Sequence, residues 1–211
     1  MTEETSKNDK KETLKIISEK ATGLLFDIIT EIPGSLYSPI QNPDEKVKLL
    51  SQRAAWKSAT VSTSLSIPAG ITGILTAIPD IAAIWKIQAQ LVADIAASYG
   101  KLALLSQEAM IWCLFRHSAA QLLRDVAVRT GSRIVVQKLS TTAVKALLAK
   151  VGTKVSSKFL GKTLLRAIPA IGALGNGIYA YMDTCEVGKT AAAYFRALAD
   201  NEVENNEKSG S

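Results

Sequence analysis

Residues 58–79, "SATVSTSLSIPAGITGILTAIP", run for 22 residues without a charged side chain. About 20 uncharged residues suffice to cross a bilayer as a helix, so this stretch decides between an integral membrane protein and a bundle that packs it internally. Its composition favours the bundle. Twelve of the 22 are Ser, Thr, Pro or Gly and only ten are apolar, and Pro68 and Pro79 would free backbone groups that lipid cannot satisfy. A second stretch, 167–182, has 16 uncharged residues, contains Asn176 and is short for a span. Its small residues Gly172, Ala173, Gly175 and Gly177 suit close approach of another helix. The two segments are expected to pack against each other in a helical core, a shallow dip into a bilayer being the most insertion they would support.

The rest of the chain follows helical periods. Two-residue alternation is absent, and Asn176-Gly177 lacks the alternating flanks of a hairpin. The expected fold is all-α, a single compact bundle of about seven or eight helices with the two small-residue segments at its centre. A first helix over about 12–32 carries Leu14, Ile17, Leu24, Leu25, Ile28 and Ile29 on one side and ends at Pro33-Gly34. Asn42-Pro43-Asp44-Glu45 combines a cap, a proline suited to the first helical position and a capping-box acid, and starts a helix running to about Ser66. Pro68 and Pro79 bracket a short helix or turn, and Pro79 launches the next helix, which closes at Tyr99-Gly100. There Ile81, Ile84, Leu91 and Ile95 share one face while Lys86, Gln90 and Asp94 recur on another. A helix over about 101–129 encloses "AMIWCLF". Gly131 begins a further pattern, in which continuation past Gly152 would turn Lys150 into the apolar face, so an end is expected near Gly152. A last helix covers about 187–199. The polar segments 1–11 and 200–211 read as disordered tails around a helical domain at 12–199.

At 211 residues one domain can bury roughly 70% of its unfolded surface and needs no staple. Cys113 and Cys185 are too few for a disulfide framework and the polar start is unlike a secretory signal, so a cytoplasmic address is expected. The charge is uneven. From Lys101 to Arg166 twelve Lys and Arg face only Glu108 and Asp125, a balance of +10; with a net charge of +6, the remainder carries −4. Such a block points to a polyanionic partner. Six of these cations at an anionic leaflet, at about 1 kcal/mol each, give about 6 kcal/mol, enough for reversible attachment. The expected contacts are Lys138, Lys145, Lys154, Lys158, Lys162 and Arg166, and the surface is an anionic lipid leaflet or a membrane protein. Nucleic acid is the weaker partner, because Phe159 is the only aromatic residue between Arg133 and Arg166 and stacking needs more.

Chemistry is sparsely signalled. Asp80 follows Pro79, where its carboxylate would satisfy free N–H groups at a helix start. The functional alternative makes it one wall of a polar pocket with Asn176 and Asp183, in which acid–base work would fall to the carboxylate pair Asp80 and Asp183. Cys113 and His117 lie four residues apart on one helix face, the spacing of a nucleophile–base pair or half a metal site, but His117 is the only histidine and a cysteine beside Trp112 and Phe115 suits a buried apolar role. No metal site is expected. "GALGNG" at 172–177 lacks the Lys-Ser/Thr of a phosphate loop and has no preceding strand, so no cofactor is expected either.

Two stretches carry a family resemblance. "AGITGILTAIPDIAAIWKIQAQLVADIAASYGK" (69–101) and "IPAIGALGNGIYAYMDTCEVGKTAAAYF" (168–195) resemble the two best-marked regions of the EcsC family. The matching features are Pro79-Asp80 and Tyr99-Gly100, then Pro169, Gly172, Asn176 and Ala192 to Phe195. The resemblance implies a bacterial-type helical protein, cytosolic or membrane-associated, of a family named for an operon that also encodes an ABC transporter linked to protein secretion. It carries over no catalytic residue. The function expected is peripheral association with an anionic membrane surface or membrane protein complex; the alternative is an enzyme acting on a lipid-like or small hydrophobic substrate.

Overall fold

The computed structural model describes residues 2–64, 71–123, 126–130, 133–163 and 169–209. Among them the chain forms helices α1 (Thr2–Thr30), α2 (Pro43–Ser64), α3 (Ile71–Ser98), α4 (Gln107–Ala119), α5 (Thr141–Thr163) and α6 (Pro169–Ser209), a 3-10 turn at Leu102–Leu104, and strands β1 (Ala127–Thr130) and β2 (Arg133–Val136). The helical class expected from the pattern holds, with six α-helices among the described residues where about seven or eight were expected.

Several boundaries follow local chemistry. Pro43 opens α2 with Asp44 and Glu45 in its first turn, where carboxylates favour the N-terminal end of the helix dipole. Gly100, at φ 70°, closes α3: its N–H donates to Ala97 O at 2.9 Å and the N–H of Lys101 to Ala96 O at 2.7 Å. This paired C-terminal closure requires a left-handed residue, and a side chain there would also meet Pro39 Cγ at 3.3 Å. Ser106 caps α4, its Oγ accepting from the N–H of Ala109 at 3.2 Å.

Other boundaries differ from expectation. Pro79 does not start a helix; α3 begins at Ile71 and continues through it, so Asp80 lies ten residues inside and has no free N–H groups of a helix start to satisfy. The helix expected over 101–129 is limited to Gln107–Ala119, and β1 and β2 then pair antiparallel from Ala127↔Val136 to Thr130↔Arg133. The β-branched residues Val128, Thr130, Ile134, Val135 and Val136 explain this strand pair. α5 does not end at Gly152 but reaches Thr163, because Lys150 falls outside the arc of Val144, Leu147, Leu148 and Val151 and stays exposed. The two last apolar segments are one helix, α6, about 60 Å long. α1 and α6 also extend as helix through residues 2–11 and 200–209, read from sequence as tails; once nucleated, a helix propagates cheaply through Glu, Lys and Asn-containing polar sequence.

α3 is the central helix. Leu91, Val92 and Ile95 are buried against Leu25 and Ile29 of α1, Leu50 of α2, Met110, Ile111 and Leu114 of α4, and Val187 and Phe195 of α6, all in one cluster. Burying each large side chain contributes about 1.5–3 kcal/mol. Helix directions follow from specific contacts. α3 and α6 run parallel, since Gln88 meets Asp183 and Thr184, Leu91 lies beside Gly188 and Lys101 pairs with Glu202. α2 is antiparallel to α6, with Asp44 at Arg196, Ser51 at Gly188 and Trp56 at Tyr181. α1 and α5 are antiparallel: Ser18 Oγ lies 3.0 Å from Thr153 Oγ1, and the Lys145 ammonium 5.1 Å from the centre of the Phe26 ring.

These directions gather helix ends. α2 finishes, and α3 and α6 start, at one end of the bundle, here the head. α5 finishes six residues before α6 starts, so the chain holds its terminus within about 20 Å of the head. The starts of α2 and α4 and the ends of α1 and α3 lie toward the foot, where Tyr99 Oη donates to Asp44 Oδ1 at 2.7 Å and Ser35 Oγ to Asp94 Oδ1 at 2.7 Å. The hydrogen bond from Tyr99 and the Arg196 guanidinium hold the Asp44 carboxyl below its ordinary range.

Candidate functional site

A largely enclosed polar group joins α3, α4 and α6. His117 Nε2 lies 2.7 Å from Asp183 Oδ1, Gln88 Nε2 donates to Asp183 Oδ2 at 2.8 Å, and the same nitrogen reaches Thr184 Oγ1 at 3.2 Å. Gln88 and Thr184 are fully enclosed, whereas the His117 and Asp183 side chains keep 16% and 20% of their surface. An ionised carboxylate accepts only, so the His117–Asp183 bond places a proton on Nε2. His117 Nδ1 is then left buried without a partner, as are Trp112 Nε1 and Ser58 Oγ. An imidazole whose Nε2–H is held by a carboxylate has the arrangement of a general base whenever Nδ1 carries no proton.

Surrounding groups narrow that chemistry. Burial pushes the Cys113 thiol far up, so it stays protonated and apolar in behaviour rather than nucleophilic. Burial, then the Asp183 charge, raises the Tyr179 hydroxyl, and burial raises the Cys185 thiol. Tyr194 is pushed up to about 12 by burial. Arg116 stacks 5.2 Å from the Trp112 ring centre at the exposed edge of α4. Among the described residues no group of three His, Cys, Asp or Glu side chains converges to hold a metal ion.

Of the sequence-chosen pocket, only Asp183 has a described side chain. Those of Asp80 and Asn176 lie outside the described residues. The carboxylate has a histidine as its near partner, and the Cys113–His117 pairing is replaced by His117–Asp183. Gln88 and Thr184 were missed. Gln88 carried a signal, since it stands between Ile84 and Leu91 on the apolar face of α3, where a polar residue needs a partner.

The basic block divides. Lys101 is buried and pairs with Glu202, Lys138 is exposed in the loop before α5 and Lys145 and Lys150 are exposed on α5. Lys138 contributes to holding the Glu108 carboxyl low. The side chains of Lys154, Lys158, Lys162 and Arg166 lie outside the described residues. On α6 and α2, Trp56, Ile178 and Met182 expose 66%, 61% and 62% of their surface, with Trp56 and Tyr181 ring centres 5.2 Å apart. Among the described residues no helix is long and apolar enough to cross a membrane.

Fold and site together define an all-α bundle protein organised around one central helix, with a half-buried His–Asp pair beside it. The model of the EcsC protein family matches residues 3–197, and the chain belongs to that family. Comparison with curated proteins and with solved structures found no match.

Proposed function

We propose that this EcsC family protein attaches peripherally to an anionic membrane surface, head first. The observation that carries the reading is the distribution of charge along the bundle. Residues 126–182, which include α5 and the start of α6, contain Arg129, Arg133, Lys138, Lys145, Lys150, Lys154, Lys158, Lys162 and Arg166 and no carboxylate. On α2 Arg53 and Lys57 lie beyond Lys46 and Lys48, which follow Glu45 at the foot, and Asp80 is the one carboxylate between Glu45 and Asp94. α1 adds a balanced set near the head, Glu3, Glu4, Asp9, Glu12 and Glu19 against Lys7, Lys10, Lys11, Lys15 and Lys20. Asp44, Glu45, Asp94 and Glu108 sit toward the foot. A bundle polarised in this way orients in the field of an anionic leaflet, and the uncharged terminal turns of α2, α3 and α6 meet the surface without desolvating a charged pair. Lys154, Lys158, Lys162 and Arg166 are the proposed head-group contacts, supported by Lys145 and Lys150; Lys138, beside Glu108 at the other end of α5, contributes least. Flotation with phosphatidylglycerol-containing and pure phosphatidylcholine vesicles at low and high salt tests this. Recovery only with the anionic vesicles, lost in high salt, is expected; equal and salt-insensitive recovery on both rejects it.

The unpartnered His117 Nδ1 favours a second reading, acid–base work on a lipid-like substrate with His117 and Asp183 replacing the Asp80–Asp183 pair. Nδ1 must then be reachable. Carbethoxylation of His117, the sole histidine, in the folded protein reports that directly, and complete resistance counts against the reading.

A further inference from the structure

We infer that Trp56, Ile178 and Met182 form the element that enters the boundary between head groups and acyl chains of an anionic leaflet, an inference that rests on the attachment proposed above. Each of the three exposes more than half its surface, whereas large apolar residues elsewhere on α2, α3 and α6 are mostly enclosed. Two neighbouring helices, α2 and α6, carry them. Ile178 and Met182 are one turn apart on α6, Tyr181 lies between them in sequence, and its ring meets Trp56 of the antiparallel α2 edge-on.

Charge identifies the occupant. Arg53 and Lys57, both exposed, stand within one turn of Trp56, and the nearest carboxylates on α6 are already engaged, Asp183 by His117 and Gln88 and Glu186 by Lys189 at 2.7 Å. Cations beside an indole and two flexible apolar side chains match an interface whose outer layer is anionic and whose inner layer is hydrocarbon. Nucleic acid offers nothing for Ile178 and Met182. A second copy of this chain would bring Arg53 and Lys57 of one molecule near those of the other in a two-fold contact, which repulsion opposes. In sequence Trp56 directly precedes the uncharged run at 58–79, and Ile178 and Met182 belong to the one at 167–182.

The test uses the full chain and the triple variant Trp56→Ser, Ile178→Ser, Met182→Ser, whose sites are exposed and whose melting curve should match the wild type. On phosphatidylglycerol-containing vesicles the triple variant is expected to bind about tenfold more weakly. Brominated lipids are expected to quench wild-type tryptophan emission, and Trp56→Phe to abolish that quenching although Trp85 and Trp112 remain. Salt-sensitive wild-type binding that the triple variant retains in full overturns the insertion and leaves electrostatic attachment standing; absence of wild-type binding to either vesicle overturns both. A wild-type dimer in solution that the triple variant converts to monomer assigns the cluster to a second copy and likewise overturns the inference.

Discussion

His117 on α4 and Asp183 on α6, 66 residues apart in sequence, share a 2.7 Å hydrogen bond that fixes the register of two helices against the enclosed Gln88 of α3. Without Asp183 the His117 Nε2 donor would lose its partner and Gln88 Nε2 would keep only Thr184 Oγ1, and leaving an enclosed donor unpaired costs more than forming its bond gains. Asp183→Ala is therefore expected to lower unfolding stability by about 2–3 kcal/mol, and Asp183→Asn by less, because the amide still accepts from Nε2. His117→Ala made in the Asp183→Ala background should then cost much less than in the wild type. Urea denaturation of the four proteins measures the coupling; strictly additive losses would mean that the two side chains act independently.

How far the sequence foretold this arrangement depends on the range of the interaction. Asn42-Pro43-Asp44-Glu45 and Tyr99-Gly100 marked helix ends because capping is settled within a turn, and α2 and α3 begin and end accordingly. Pro79 and Gly152 misled for the opposite reason. Both resemble punctuation, yet α3 runs through Pro79, and at Gly152 α5 packs against α1 with no room for a side chain, a Cβ there standing 3.2 Å from Ser18 O. The strands Ala127–Thr130 and Arg133–Val136 escaped notice because four residues each are too few to display two-residue alternation. Asp183 stood out as a charge in a small-residue run, but nothing local could name His117 as its partner, since that choice is made by the crossing of α4 over α6. The charge count found the basic block without revealing that Lys101 answers Glu202.

A pH-dependent contribution is built into the foot of α4. Glu108 Oε1 accepts the backbone N–H of Leu139 at 3.0 Å, tying the segment after β2 to the first turn of α4. Burial would raise this carboxyl, but bonds from the N–H groups of Leu139 and Glu108 and from Ser106, with the Lys138 charge, outweigh burial and hold it below its ordinary value of 4.5. The ionised form is thus favoured by folding. Its stabilisation is fully present above about pH 4.5 and is lost as pH falls through the lower folded value. Glu108→Gln should be less stable than the wild type by about 1–2 kcal/mol at pH 7. The gap should narrow at acid pH, as denaturant titrations at neutral and acid pH would show; a gap independent of pH would mean that the charge is not what holds Leu139.

Gly188 sets how closely α2 and α6 pack, and its replacement offers a direct measure of that contact. A methyl group there would stand 2.9 Å from Ser51 Cβ, closer than side chains approach, and would also press on Ser51 Oγ. Ser51 has little freedom to yield, since its hydroxyl donates to Val47 O at 2.8 Å within α2. Moving either helix outward would disturb Leu91, whose Cδ2 lies 3.6 Å from the same position and which is almost wholly buried. The helix propensity of Ala favours the substitution by about 1 kcal/mol, whereas overpacking costs about 1–3 kcal/mol, so a net loss of about 1 kcal/mol is expected for Gly188→Ala. Combining it with Ser51→Gly removes both opposing atoms and should recover the packing part of that loss, after allowance for the destabilisation Ser51→Gly causes alone. Thermal or urea unfolding of both single variants and the double variant decides the matter: Gly188→Ala as stable as the wild type would show that α2 can move aside, and the close approach would then be a consequence of packing elsewhere.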